Sequence, residues 1–286
     1  MRRTSVVGGS RIAAILAALL LVAACGGGAG QSKQSGSSYQ LVHAGYLTVA
    51  TYGTGKPQVV VGPGDHFAGV DGDYLTQFAK DHKLKIKLFQ TTFASVILAV
   101  QQRKADVGAY IFYTPQRAKQ MYYAYPYFNS GKTVIFTLKS FHYTGPSSMQ
   151  GKKVGTVVGF VWAPYLQKWS AQGAALYPDQ ASIGQALLNG QIQGYVNGDT
   201  AAEIPPLNNS SNVVQHQLKA GDYGLPAVLL TNDSYNIVNC NNKGLATALN
   251  QELSKLRSGG QLKKYYDASG ASTANLPKLK SPPQGC

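Results

Sequence analysis

ADVGAYIFYTPQRAKQMYYAYPYFNSG spans residues 105–131. The apolar run Val107–Phe112 is short enough for a buried strand. Thr114-Pro115 then has the chemistry of a helix start. Threonine caps free backbone N–H groups, and proline at the first helical position gives up an N–H that had no partner. Arg117 falls in the first turn, where a cation opposes the helix dipole at a cost of about 0.3–1 kcal/mol. An anion held between the guanidinium and the free N–H groups reverses that sign. Without one, Arg117 is an arginine on a solvated helix face.

Upstream, LTVAT (47–51) reads as a strand ending in Tyr52-Gly53-Thr54-Gly55. Gly55-Lys56 suggests a phosphate loop, but Ala50 stands where its first glycine belongs, and Gln58 replaces the third glycine of a dinucleotide loop. Neither nucleotide reading holds. FAGVDGDYLTQFAK (67–80) predicts a turn into a helix capped by Asp71 or Asp73. These two could ligate a metal, but no histidine or glutamate joins them locally. KLKIKLF (83–89) is a strand whose lysines 83, 85 and 87 form a solvated face. Phe93, Val96, Ile97 and Val100 recur at helical spacing, and that helix ends near Arg103-Lys104.

Downstream the alternation resumes. KTVIFTL (132–138) and GKKVGTVVGF (151–160) are strands, the second opening onto Val161-Trp162-Ala163-Pro164. SIGQALLNG (182–190) is a helix, IQGYVNGDT (192–200) a strand ending at Asp199, and YGLPAVLL (223–230) a further extended segment. Leu245, Leu249, Leu253 and Leu256 mark a final helix closing near Gly259-Gly260, with 270–286 as tail. Such alternation predicts an α/β sheet with ligand sites at strand C-terminal ends. Segments 93–114 and 182–200 share one layout, which suggests two similar lobes.

The N-terminus has the form of an export signal: Arg2, Arg3 and Arg11, then the apolar run 12–21, then Val22-Ala23-Ala24 before Cys25. A cysteine just after the cleavage site resembles a bacterial lipobox, implying a diacylglyceryl anchor on Cys25 after a signal peptide at 1–24. Residues 25–39 read as a flexible tether. The two remaining cysteines, Cys240 and Cys286, favour a disulfide in an oxidising, exported setting, leaving no thiol for catalysis. Lys and Arg number 26 against 12 Asp and Glu, and removing three leader arginines leaves +11. The lysines are scattered, so nucleic acid is not the expected partner; anionic envelope polymers or lipid headgroups fit better as neighbours.

LTVAT, AGVDGD, FASVILAVQQRKADVG, TPQRAKQM with YPYFNSG, GKKVG, YGLPAV and LSKLRSGGQLKKYYD together resemble the family 3 solute-binding proteins of bacterial ABC importers, over about 45–266. The resemblance implies a two-lobed periplasmic-binding-protein type II fold with a two-strand hinge at 131–136 and 224–229. Lobe 1 would comprise 40–130 plus 230–286, and lobe 2 137–223. It further implies a monomer without cofactor or metal, lipid-anchored at the extracellular face of the membrane. That monomer captures an amino acid or related amine-carboxylate between its lobes for an ABC permease. Arg117 matches the position that grips the ligand carboxylate, Asp199 falls near the one that meets the amino group, and Phe93 matches an aromatic wall. Three features depart from the pattern. Tyr52 replaces the usual aspartate after VAT, Tyr110 and Phe112 replace a glycine and a hydroxyl residue, and Gly159-Phe160-Val161-Trp162 replaces a glycine-plus-hydroxyl loop. These aromatics are either core or a cage in which Tyr52, Phe112 and Trp162 hold a ligand cation by their ring faces. A tethered sensor without a permease is the alternative. A dehydratase on the same fold is not favoured, since the five histidines show no paired spacing and only His66 lies near the expected cleft.

Overall fold

The computed structural model describes residues 38–53 and 55–286; the expected signal peptide and Cys25 lie outside them. Strands and helices alternate as β1 (Tyr46–Thr51), β2 (Val60–Gly62), β3 (His66–Ala68), α1 (Gly69–Asp81), β4 (Lys85–Gln90), α2 (Phe93–Gln101), β5 (Val107–Phe112), α3 (Pro115–Ala118) and β6 (Met121–Leu138). Then come β7 (Val154–Val157), α4 (Ala163–Trp169), β8 (Ala175–Tyr177), α5 (Gln180–Leu188), β9 (Gly194–Gly198), β10 (Val213–Gln217), β11 (Thr231–Asn239), α6 (Lys243–Ser258) and α7 (Gln261–Ser269).

The main sheet runs β4-β1-β5-β11-β6-β9-β7-β8, with β10 also on β6. β1 is parallel to β4 and β5, whereas β11 is antiparallel to β5 and β6. β6 is the shared member. Its residues 121–132 pair with β11, and 133–138 pair with β9 and β10. The change of partner at Gly131–Thr133 divides the fold into two lobes, each a sheet flanked by helices. One apolar core lies in the first lobe among α1, α6 and α7, around Leu75, Phe78, Leu249 and Tyr266. The other fills the second lobe and reaches across to Ala50, Phe93 and Ile111. The two lobes therefore share buried apolar surface, whose removal from water favours the closed arrangement.

Three local expectations change. Asp71 caps nothing: α1 begins at Gly69, and Asp71 sits fully buried in its first turn, accepting from Asn236 Nδ2 at 2.8 Å. A buried carboxyl needs such a partner, and β11 supplies it. Segment 223–230 is not one extended run. It forms single 3-10 turns at Asp222–Gly224 and Ala227–Leu229, joined by extended Leu225 and Pro226. Pro226 has no N–H for a ladder, so β11 starts only at Thr231. Finally, the last helix is followed by another, α7, after a break at Gly260 with φ +74°. That left-handed conformation is one that glycine adopts readily.

Cys240 and Cys286 form a disulfide with Cα atoms 5.6 Å apart. The tail it holds lies against the start of β6. Tyr123 N donates to Gln284 Oε1 at 3.0 Å, Gln284 Nε2 donates back to Tyr123 O at 3.0 Å, and Gly285 N donates to Ala118 O at 3.2 Å. Among the described residues, no helix is long and apolar enough to cross a membrane.

Candidate functional site

The helix start after β5 is built as its residues dictate. Thr114 Oγ1 accepts from Arg117 N at 3.1 Å, with Pro115 at the first helical position. This short turn aims Arg117 between the lobes. Nη1 donates to Phe112 O in the first lobe at 2.8 Å, and Nη2 to Gly159 O in the second at 2.7 Å. The guanidinium carbon stands 5.1 Å from the Phe93 ring centroid, a cation–π distance. Desolvation lowers its pKa from the ordinary arginine value, yet a guanidinium keeps its proton. Only two of five N–H donors go to carbonyls, and among the described residues no carboxylate pairs with it. The charge is held in place and left unanswered.

Gly159 has a specific reason to be glycine. Its φ is +82°, and a Cβ there would meet Phe93 Cδ1 at 3.2 Å. Phe93 from the first lobe meets Phe160 from the second edge-on at 4.8 Å. Tyr52 stacks on Tyr110 at 5.5 Å with 7° between planes and sets its edge on Phe93 at 4.8 Å. Phe112 and Phe160 each meet Trp162 near 6 Å, at 5.9 and 5.8 Å. Tyr52, Phe93, Tyr110, Phe112, Phe160 and Trp162 are thus one ring cluster bridging the lobes, in which each pair adds about 0.5–1.5 kcal/mol beyond burial. With Arg117, five of the six enclose a cavity that has only about 10 Å³ of free volume. That is about the room one water needs.

Trp162 is the exception. It is fully buried behind Phe112 and Phe160 and donates Nε1–H to Thr133 Oγ1 at 3.3 Å. Its ring face is not offered to a ligand cation. The cation that the cluster does hold, over Phe93, is Arg117 itself.

Tyr110 is the strained member. It has φ +61° inside a strand, where the register with β11 slips between Tyr235 and Ile237. Such a φ is uncommon for a bulky residue and costs of order 1–3 kcal/mol. Burial pushes its hydroxyl pKa up to about 12, and that hydroxyl faces Thr200 and Ser130. Thr200 lines a different, polar cavity of about 470 Å³ together with Asp199, Lys56 and Glu203. Tyr110 therefore lines the small cavity beside Arg117, while its hydroxyl points to Thr200, a wall of the cavity that holds Asp199. Asp199 Oδ2 accepts from Lys132 N at 3.2 Å, and its carboxylate fills the space beside Gly131, so it is engaged with the inter-lobe strand. His66 is exposed on β3, its ring against Gly62, and lines none of these cavities.

Asn197, on the wall of the small cavity, was not among the expected site residues, and Val161 beside it was named only as part of the loop 159–162. Asn197 is tied to Gln180 Oε1 at 2.8 Å and to the Tyr195 hydroxyl. Only its place two residues before Asp199 hinted at it. Among the described residues, no cluster of histidine, cysteine, aspartate and glutamate could hold a metal ion.

Comparison with known proteins agrees with this architecture. The ABC transporter arginine-binding protein 1 of Escherichia coli (strain K12) is 27% identical over 227 residues, covering 76% of this chain and 86% of that protein. A solved substrate-binding protein of an amino acid ABC transporter superposes with a TM-score of 0.69 at 20% identity, covering 78% of this chain and 98% of that one. A histidine kinase sensor domain with similarity to periplasmic binding proteins superposes with 0.67 at 16% identity, covering 83% and 98%. The model of the bacterial extracellular solute-binding proteins, family 3, matches residues 47–270, so the chain belongs to that family.

Proposed function

We propose that this chain captures an amino acid or a related carboxylate between its two lobes, 40–130 plus 230–286 and 137–223, and presents it to an ABC permease. A lipid on Cys25 holds it at the outer face of the cell membrane as a monomer. The observation that carries this reading is Arg117: a guanidinium fixed by carbonyls of both lobes, with no carboxylate paired to it among the described residues. A ligand carboxylate replacing those carbonyl contacts meets the guanidinium with a full opposite charge and can take two parallel N–H···O bonds at once. The enclosed volume at the ring cluster is too small for any amino acid, so entry requires the lobes to part and close again. Binding rather than turnover is the reading supported by the family, whose members are solute-binding proteins.

Calorimetry of the full chain against a panel of amino acids and their derivatives tests this, with Arg117→Ala as the paired variant. Binding weakened at least about 100-fold by the variant is expected, near the 2–5 kcal/mol of a truncated buried charge pair. Equal affinity in both proteins would remove Arg117 from the site. A tethered sensor is the second reading, favoured by the fold it shares with a kinase sensor domain. Cells lacking this protein that still import labelled ligand at full rate would favour the sensor.

A further inference from the structure

Arg117 is a wall shared by two spaces. On one side lies the small ring-lined cavity; on the other an open chamber of about 710 Å³ extends between α3, α4, β8 and the turn before β11. Pro115, Val161, Pro164, Tyr165, Leu176 and Leu229 give that chamber mostly apolar walls. Val228, 71% exposed, stands on its rim. The volume lies in the range of roughly 300–1,000 Å³ typical of sites for sizeable organic ligands. The charged side chains on its lining are Arg117 and Lys168, both cations; no aspartate or glutamate joins them among the described residues. Both partners of the Arg117 Nη2 bond to Gly159 O line this chamber, whereas Phe112 lines only the small cavity, so a carboxylate entering from the chamber meets that bond first.

These features discriminate between kinds of amino-acid nitrogen. A free amino acid brings an ammonium as well as a carboxylate. Among the described residues, no carboxylate lines either space that touches Arg117, and Asp199 lines a separate cavity. An ammonium buried without an anion is costly, whereas an acylated nitrogen is neutral and carries its own apolar chain. Building on the carboxylate capture above, we propose that the Arg117 site takes N-acylated amino acids in preference to free ones. The carboxylate lies on Arg117 and the acyl chain lies along the apolar chamber.

The test is calorimetry on the full chain with N-octanoyl-phenylalanine below its micelle concentration, against phenylalanine, arginine and N-octanoyl-phenylalanine amide. The acylated acid is expected to bind at least about tenfold more tightly than either free amino acid, and its amide about tenfold more weakly than the acid. Val228→Asp and Lys168→Glu, both at exposed positions, each place a negative charge at the chamber and are expected to weaken the acylated acid about tenfold, with unchanged melting. Tighter binding of free phenylalanine or arginine, still lost in Arg117→Ala, would overturn this inference and leave carboxylate capture standing. Equal binding of acid and amide would reduce the effect to adsorption on an apolar wall and overturn it. No binding of any probe would overturn both.

Discussion

Arg117 and Tyr110 are seven residues apart and pull in opposite directions. Arg117 is a cation bound by two carbonyls and, among the described residues, by no carboxylate, while Tyr110 fills space beside the same small cavity; if a zwitterion binds there, that ring is the proposed barrier between Arg117 and Asp199. Tyr110→Gly removes the ring and relieves the positive φ, since glycine populates that region freely. The variant is expected to lose net stability, because a ring cavity costs about 3–5 kcal/mol against about 1–3 of strain released. It is also expected to bind free arginine or glutamine at least about tenfold more tightly than the parent. Calorimetry showing no gain for free amino acids would mean that the ring is not the barrier. At Gly159 the direction is simpler. Gly159→Ala puts a Cβ at φ +82° and 3.2 Å from Phe93, and should lower stability by about 1–3 kcal/mol in chemical denaturation. Much at this scale was readable beforehand. Thr114-Pro115-Gln116-Arg117 spelled a capped helix start, and the cap is present. The partners of Arg117 were not readable, because two backbone carbonyls, one of them 42 residues away, leave no trace in side-chain pattern. Nor does a sequence distinguish an aromatic that lines a cavity, such as Phe112, from one sealed behind it, such as Trp162.

Among the elements, α3 is the smallest and the one that most needs support. It has four residues, too few for its own hydrogen bonds to hold it. Thr114 secures its start, and the disulfide-bound tail secures its end through Gly285 N to Ala118 O. Cys240→Ser frees that tail. The closed loop, with a sequence separation of 46, corresponds to about 4 kcal/mol of unfolded-state entropy, so the variant should lose about 2–4 kcal/mol in denaturant titration. Ligand binding at Arg117 should weaken as well, because α3 loses its end contact. A variant that keeps full affinity would show that α3 is held by its cap alone. The α/β alternation that places α3 was legible, since period-2 and period-3.6 patterns follow one another from residue 47 onward. The turns at Asp222–Gly224 and Ala227–Leu229 and the separate α7 were not. An apolar octapeptide containing Gly224 and Pro226 reads equally as a strand or as turns, and only the ladder it fails to join decides.

For the molecule as a whole, the ring cluster ties one lobe to the other, and a buried carboxyl beneath it ties stability to pH. Asp71 is fully enclosed, with Asn236 Nδ2 on one oxygen and the Tyr127 hydroxyl and Tyr110 amide facing the same group. Desolvation is the largest influence and raises its pKa to about 7, while those hydrogen-bond donors oppose the rise. A folded pKa above the unfolded value near 3.9 means that the native state holds the proton more tightly. Between about pH 4 and pH 7 the native chain therefore binds more protons than the unfolded one, and this group's contribution falls as pH rises through that window and is flat above it. Asp71→Asn, neutral at every pH and able to keep the side-chain contacts, should abolish this slope. In the parent, the same slope should amount to as much as about 4 kcal/mol across three pH units. Denaturant titrations of parent and variant at pH 4, 5.5, 7 and 8 check it: the gap between them should move in favour of the variant as pH rises and stop changing above about 7. A gap that stayed constant with pH would mean that Asp71 is ionised in the folded chain throughout, with its donors outweighing its burial.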